Sequence, residues 1–163
     1  MEELLRNNNR ERTQDFLSGK EDKHEHGIWF LVHKDIVNTV MRCHLVSSRL
    51  ITIHLRAVPF NITGLQAYTL TSDYDIEIEE FYDQLQNVID QTPKKDILCV
   101  QGDWNAKVGR DACDFSCGPF CNDTNERGLR LLEFASFNDL VLANTFGHHK
   151  LETYVYKVIS HIK

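Results

Sequence analysis

Apolar positions are sparse over the first 26 residues, which are mostly charged or amide-bearing and end in GKEDKHEH. A helix from Glu2 to about Leu17 would present only a thin apolar face. Residues 1–26 therefore read as a polar extension, solvated or partly disordered, because little buried surface offsets the cost of ordering them. The pattern changes at Gly27, and residues 27–163 read as one domain. GIWFLVHK is an apolar run of strand length, and DIVNTVMRC suits a helical turn. In VSSRLITIHLRAV, Leu50, Ile51, Ile53 and Leu55 stand among Thr52, His54 and Arg56. That alternation predicts one half-buried strand. Pro59 interrupts it and NITGLQAYTL resumes as another strand, so a hairpin across RAVPFN should make the two antiparallel neighbours.

The clearest helical pattern is TSDYDIEIEEFYDQLQNVIDQTP. Ile78, Phe81, Tyr82, Leu85, Val88 and Ile89 recur at spacings of three and four, on one face. Thr71, Ser72 or Asp73 can cap its start, and Pro93 ends it. KKDILCVQG follows as a nearly continuous apolar strand of the kind buried on both faces. NERGLRLLEFASFN predicts a second amphipathic helix, with Leu129, Leu132, Phe134, Ala135 and Phe137 as core candidates. DLVLANTF is a further strand, and GHHKLETYVYKVISHIK is ambiguous between helix and strand. Antiparallel pieces come first and α/β pieces later, which predicts an α/β fold with a mixed sheet and helices on one face.

Composition narrows the class. A chain of 163 residues suits one compact domain, and 42% hydrophobic with 26% charged residues is ordinary for a globular protein. No apolar run approaches the length of a membrane span. The polar N-terminus is neither a secretory signal nor, with its acids, a mitochondrial presequence, so an intracellular protein (nuclear or cytoplasmic) is expected. The net charge of −6 excludes a protein that coats nucleic acid by bulk electrostatics. It leaves room for an enzyme that meets a phosphodiester through a bound cation. Five cysteines, an odd number, do not suggest a complete disulfide framework.

The chemistry concentrates in DILCVQGDWNAKVGRD, where a strand breaks at Gly102. In α/β proteins functional groups gather beyond the carboxyl ends of strands. Asp103 and Asn105, two apart, can point to the same side of an extended segment, with Trp104 turned into the core. A carboxylate that orients or deprotonates water, beside a carboxamide that bonds a phosphoryl oxygen, suits phosphate-ester cleavage. An ordinary Asx turn accounts for the same residues, and composition does not choose between the two.

ILCVQGDWNAKVGRD followed by NERGLRLLEFASFNDLVLANTF resembles the endonuclease/exonuclease/phosphatase (DNase I-like) family. It is similar, more narrowly, to craniofacial development protein 2-like proteins and to the apurinic-type endonuclease domains of non-LTR retrotransposons. The resemblance covers about residues 20–150. It implies a four-layer α-β-β-α sandwich and Mg²⁺-dependent hydrolysis of phosphodiesters, with DNA as substrate. It implies that Asp103 aligns or activates the attacking water and that Asn105 contacts the scissile phosphate, both possible metal neighbours. Tyr68, in QAYTLTSDYD where the family has Tyr-Ala-Pro-Thr, would bond the phosphate; its other reading is a buried sheet tyrosine. Asn144, at the end of LVLAN, would also lie near the site.

The chain departs from that family at both ends. None of Glu2, Glu3 and Glu11 sits in a strand-end motif that matches the family's metal-binding Glu, and Asn7, Asn8 and Asn9 form a polar run. After NTFGHHK the closing Trp-x-Trp, Ile-Asp-Tyr-Ile and Asp/His elements are not found, and His161 reads as a terminal surface histidine. The expectation is therefore a partial sandwich, truncated at both ends, with the remaining metal ligands absent and catalysis impaired. The alternative is a non-catalytic binding protein on the same scaffold. A third reading, a zinc site from Cys113, Cys117 and Cys121 with His148 or His149, is weakened by atypical spacing and by Gly118-Pro119. His24, His26, His33, His44 and His54 read as surface or satisfied histidines.

Overall fold

The computed structural model describes residues 6–7, 13–17, 28–69, 75–109, 124–143 and 155–160. Nine strands and two α-helices run in the order β1 (Arg6–Asn7), β2 (Thr13–Leu17), β3 (Trp29–His33), β4 (Val40–Ser47), β5 (Leu50–Leu55), β6 (Ile62–Tyr68), α1 (Asp75–Gln91), β7 (Ile97–Asp103), α2 (Glu126–Phe137), β8 (Leu140–Leu142) and β9 (Val155–Ser160). A 3-10 turn, Val37–Thr39, precedes β4. Strands β1, β2 and β3 form one antiparallel sheet, and a six-stranded sheet has the order β4-β5-β6-β7-β9-β8. Within the larger sheet β6 and β7 are parallel and every other pair is antiparallel, so the sheet is mixed. A parallel pair needs a crossover, and α1 supplies it.

The two faces of the larger sheet bury different partners. Leu50 of β5, Leu65 and Ala67 of β6, and Leu98 and Val100 of β7 pack against Phe81, Tyr82 and Leu85 of α1 and Leu131, Leu132, Phe134 and Ala135 of α2. Ile51 and Ile53, on the opposite face of β5, pack against Ile28, Phe30 and Val32 beside and on β3. The described layers are thus two helices, the six-stranded sheet and the three-stranded sheet. The α/β class, the mixed sheet and the placement of both helices on one face agree with the sequence pattern.

Four local readings need correction. The strand expected in VSSRLITIHLRAV is present as β5, but it begins only at Leu50: Val46 and Ser47 belong to β4, because Ser48 and Arg49 form a tight turn that pairs Ser47 with Leu50. The helix considered over Glu2–Leu17 is replaced, where the chain is described, by strands β1 and β2. Strand β7 is not buried on both faces: only Leu98, Val100 and Gly102 are buried, and the residues between them are half-buried. On α2, Leu129 and Phe137 are 48% and 81% exposed, and Gly128 and Leu131 take the buried arc instead. The arc is set by the close approach of Gly128 to the loop after β7, which rotates Leu129 outward.

Near the start of β7, at the end of the sheet away from Gly102, Asp96 is buried. Its Oδ2 accepts from Thr63 Oγ1 at 3.1 Å and lies 2.7 Å from His54 Nε2. The His54 contact is an ion pair by distance without hydrogen-bond alignment, and Asp96 Oδ1 is buried with no hydrogen-bond partner. His54 Nε2 is likewise buried with no hydrogen-bond partner, so His54 is neither a free surface histidine nor a satisfied one, and it stands against a carboxylate that the sequence did not mark.

Candidate active site at the β6 and β7 strand ends

Parallel pairing sets Tyr68 opposite Asp103, Ala67 opposite Gly102 and Gln66 opposite Gln101. Side chains alternate across a strand, so Tyr68 and Asp103 share the face opposite the helices. Tyr68 is half-buried, and it packs against the cluster that joins the two sheets. Its backbone N–H donates to the Arg49 carbonyl, which fixes the β4–β5 turn at the same end of the sheet.

Gly102 explains why β7 breaks where it does. Its φ is +154°, and a Cβ there would stand 1.8 Å from the Ala67 carbonyl oxygen. Only glycine allows β6 and β7 to approach this closely at that angle. The chain then turns sharply. Asn105 N–H donates to Asp103 Oδ1 at 3.0 Å, an Asx turn, and Asn105 itself is left-handed at φ 47°. Asparagine tolerates that conformation better than most residues. Its Nδ2 donates to the Thr69 carbonyl at 3.0 Å, while Thr69 N–H and Oγ1 both donate to the Asp103 carbonyl, at 2.9 and 3.2 Å. The two readings of Gly-Asp-Trp-Asn are therefore not rivals in geometry: the segment is an Asx turn, and it holds Asp103 at a strand end.

Trp104 points away from Asp103 and Asn105, as its position between them required. It is 2% exposed and meets Phe81 edge-on and Tyr82 in a stack, at ring-centroid distances of 6.1 and 6.3 Å. The indole anchors the turn in the helical core.

The downstream half of the motif is bonded to the upstream half. Asn125 caps α2 by accepting from Gly128 N–H at 2.8 Å, and the same Oδ1 accepts from Lys107 N–H at 2.9 Å. Asn125 N–H donates to the Lys107 carbonyl, and Gly109 N–H donates to Thr124 Oγ1 at 2.7 Å. A Cβ on Gly128 would stand 1.7 Å from the Lys107 carbonyl oxygen. Sequence reading missed Asn125, Thr69 and Arg49 as parts of this site. The N-cap pattern of Asn125 before a helix was the available signal for the first.

Asp103, Asn105 and Tyr68 thus stand together. Asn144, Cys113, Cys117, Cys121, His148, His149 and His161 lie outside the described residues, as do Glu2, Glu3 and Glu11. Among the described residues no group of three His, Cys, Asp or Glu is placed to hold a metal ion. No helix among them is long and apolar enough to cross a membrane.

No protein-family profile matches the chain. The chain is similar over 91% of its length to the endonuclease domain of TRAS1, a telomere-specific non-LTR retrotransposon, with a TM-score of 0.65, 14% identity and 67% of that structure covered. It is similar to humanized D. rerio TDP2, with a TM-score of 0.53, 14% identity and coverage of 93% of this chain and 60% of that one. The fold is that of DNase I-like endonucleases. In sequence the chain is homologous to craniofacial development protein 2: it is 36% identical over 132 residues to the Bos taurus and Tragulus javanicus proteins, across 80% of this chain. It spans 22% and 23% of the length of those two relatives.

The resemblance of the Gly-Asp-Trp-Asn segment implies Mg²⁺ as the cofactor. Mg²⁺ takes near-octahedral oxygen ligation. Asp103 offers one carboxylate at the strand end, and the described residues add no acidic partner to it. They do not fit a complete Mg²⁺ site.

Proposed function

We propose that the chain is a phosphodiesterase-type domain that acts on DNA, with Asp103, Tyr68 and Asn105 as its half of the reaction site. The observation that carries the proposal is the side-by-side register of Tyr68 and Asp103 at the carboxyl ends of a parallel strand pair. The described helices and sheets are read as three layers of an α-β-β-α sandwich. Asp103 aligns the attacking water and takes up its proton as the new P–O bond forms; the P–O bond to the leaving sugar oxygen breaks, and that oxygen takes a proton from solvent. The Tyr68 hydroxyl donates to a non-bridging phosphoryl oxygen. One Asn105 amide hydrogen is held by the Thr69 carbonyl, and the second is directed to the phosphate. The turn pre-positions these groups, and such positioning contributes heavily to phosphoryl transfer. With Asp103 as the one carboxylate that the described residues bring to this strand end, the half-site is expected to cleave slowly.

Plasmid nicking in Mg²⁺ buffer tests this. Slow nicking that disappears in Asp103→Ala supports it; nicking unchanged in Asp103→Ala removes Asp103 from the reaction. Fast nicking contradicts the half-site.

A non-catalytic binding protein on the same scaffold is the second reading. It is favoured by Trp29 and Leu31, each 52% exposed on the outer face of β3. It predicts DNA retention on a filter with no cleavage.

A further inference from the structure

The parallel ladder between β6 and β7 continues one rung past its last strand pair, Tyr68 and Asp103. In such a ladder a residue donates through its N–H to one residue of the neighbouring strand and accepts through its carbonyl from the residue two further on. Thr69 donates to the Asp103 carbonyl at 2.9 Å and accepts from Asn105 at 3.0 Å. The donor at position 105 is the side-chain Nδ2 and not the backbone N–H. The backbone N–H has turned to Asp103 Oδ1, at 3.0 Å, on a residue whose φ of 47° is left-handed. Asn105 thus fills with its side chain the rung that its own backbone left.

These bonds close on themselves. Thr69 holds the Asp103 carbonyl, Asp103 Oδ1 holds the Asn105 N–H, and the Asn105 side chain holds the Thr69 carbonyl. The Thr69 hydroxyl adds a second donor to the Asp103 carbonyl, at 3.2 Å. A carbonyl oxygen has two lone pairs, and here both are taken, so the peptide that follows the Asp103 carboxylate is pinned. Of the two carboxylate oxygens, Oδ1 is committed to the turn. Oδ2 carries no such bond among the described residues.

The hydroxyl does this from the far side of the sheet. Tyr68 and Asp103 project from one face, and Thr69, the next residue along, projects from the other. There it is buried and shares a cavity wall with Phe81 and Trp104. It does not reach a phosphate presented to Tyr68, and it acts through Asp103 and Asn105. We infer that Thr69 is a positioning residue: its hydroxyl locks the Asp103–Asn105 turn, so that Oδ1 stays on the Asn105 N–H and Oδ2 faces the water. The catalytic consequence rests on the phosphodiesterase reading; the lock itself does not.

Thr69→Val keeps the branched shape and removes the hydroxyl donor, while Thr69→Ser keeps the donor. Amide exchange read by NMR tests the lock without any substrate. In Thr69→Val the Asn105 N–H should exchange about tenfold faster, with Leu65 and Val100 inside the strands unchanged. Thr69→Ser should return Asn105 to within about twofold of the wild type. Equal exchange at Asn105 in the wild type and Thr69→Val overturns the lock. Acceleration that extends to Leu65 and Val100 also overturns it, because the strand pair itself has then loosened. Plasmid nicking in Mg²⁺ buffer tests the consequence: kcat in Thr69→Val should fall about tenfold with KM unchanged, and Thr69→Ser should restore it. Faster exchange at Asn105 with undiminished nicking overturns the positioning role. Faster exchange at Asn105 in a chain that never nicks keeps the lock and removes the phosphodiesterase reading.

Discussion

Tyr68 and Asp103 are register partners across the β6–β7 pair and project from the same face of the sheet. That relation depends on Ala67 and Gly102, the pair just before them. The Ala67 carbonyl occupies the space where any side chain at position 102 would begin. Gly102→Ala should therefore force β6 and β7 apart, at a cost of about 2–4 kcal/mol. Urea unfolding of the variant measures the loss; a change below about 0.5 kcal/mol would show that the close approach is absent in solution.

Asn125 connects α2 to the loop that follows β7. One oxygen, Oδ1, accepts from both Gly128 and Lys107. Asn125→Ala should lower stability by about 1–2 kcal/mol, as the loss of an N-cap does. It should also speed amide exchange at Lys107, which an ordinary cap on a separate helix would leave unchanged. Amide exchange read by NMR at Lys107 distinguishes the two.

Asp96 is buried beside His54 and Thr63, with one oxygen left unpartnered. Removing one partner of a buried pair is costly because the other is left uncompensated. Asp96→Ala should cost about 3 kcal/mol, and His54→Ala alone less, since His54 reaches solvent. A double-mutant cycle by denaturant unfolding reads the coupling, and additive losses would mean that the 2.7 Å contact contributes nothing.

Burial pushes the Cys43 thiol up to about 11, only partly offset by a backbone hydrogen bond to His44. The neutral thiol is favoured in the folded chain, so at pH 8 roughly one Cys43 in a thousand is thiolate. Iodoacetamide should modify Cys43 about two orders of magnitude more slowly in the native than in the unfolded chain. The native rate should rise with pH through 10. Equal rates, followed by peptide mass mapping, would place Cys43 at the surface.

Much of this was legible in the residues. The 3.6-residue period of α1 and the alternation of β5 and β6 give the elements, because one-sided burial writes itself into spacing. Gly102-Asp103-Trp104-Asn105 marks the strand end and correctly turns Trp104 inward. The pairing of Tyr68 with Asp103 was not legible, because a crossover of α1's length does not fix strand register. The β4–β5 turn hid inside one apolar run, since Val46 and Leu50 continue the pattern across Ser48 and Arg49. The pattern alone therefore places Arg49 within a strand, whereas it lies in the turn at the site end. Leu129 and Phe137 misled for a similar reason: periodicity locates a face but not the tight contact of Gly128 that rotates it.

The most direct measurement is Mg²⁺-buffer nicking of supercoiled plasmid by the wild-type chain, Asp103→Ala and Tyr68→Phe, each checked for fold by circular dichroism. The half-site predicts slow nicking by the wild type, none by Asp103→Ala, and a loss of about tenfold or more in Tyr68→Phe. Nicking by Asp103→Ala at the wild-type rate would contradict it.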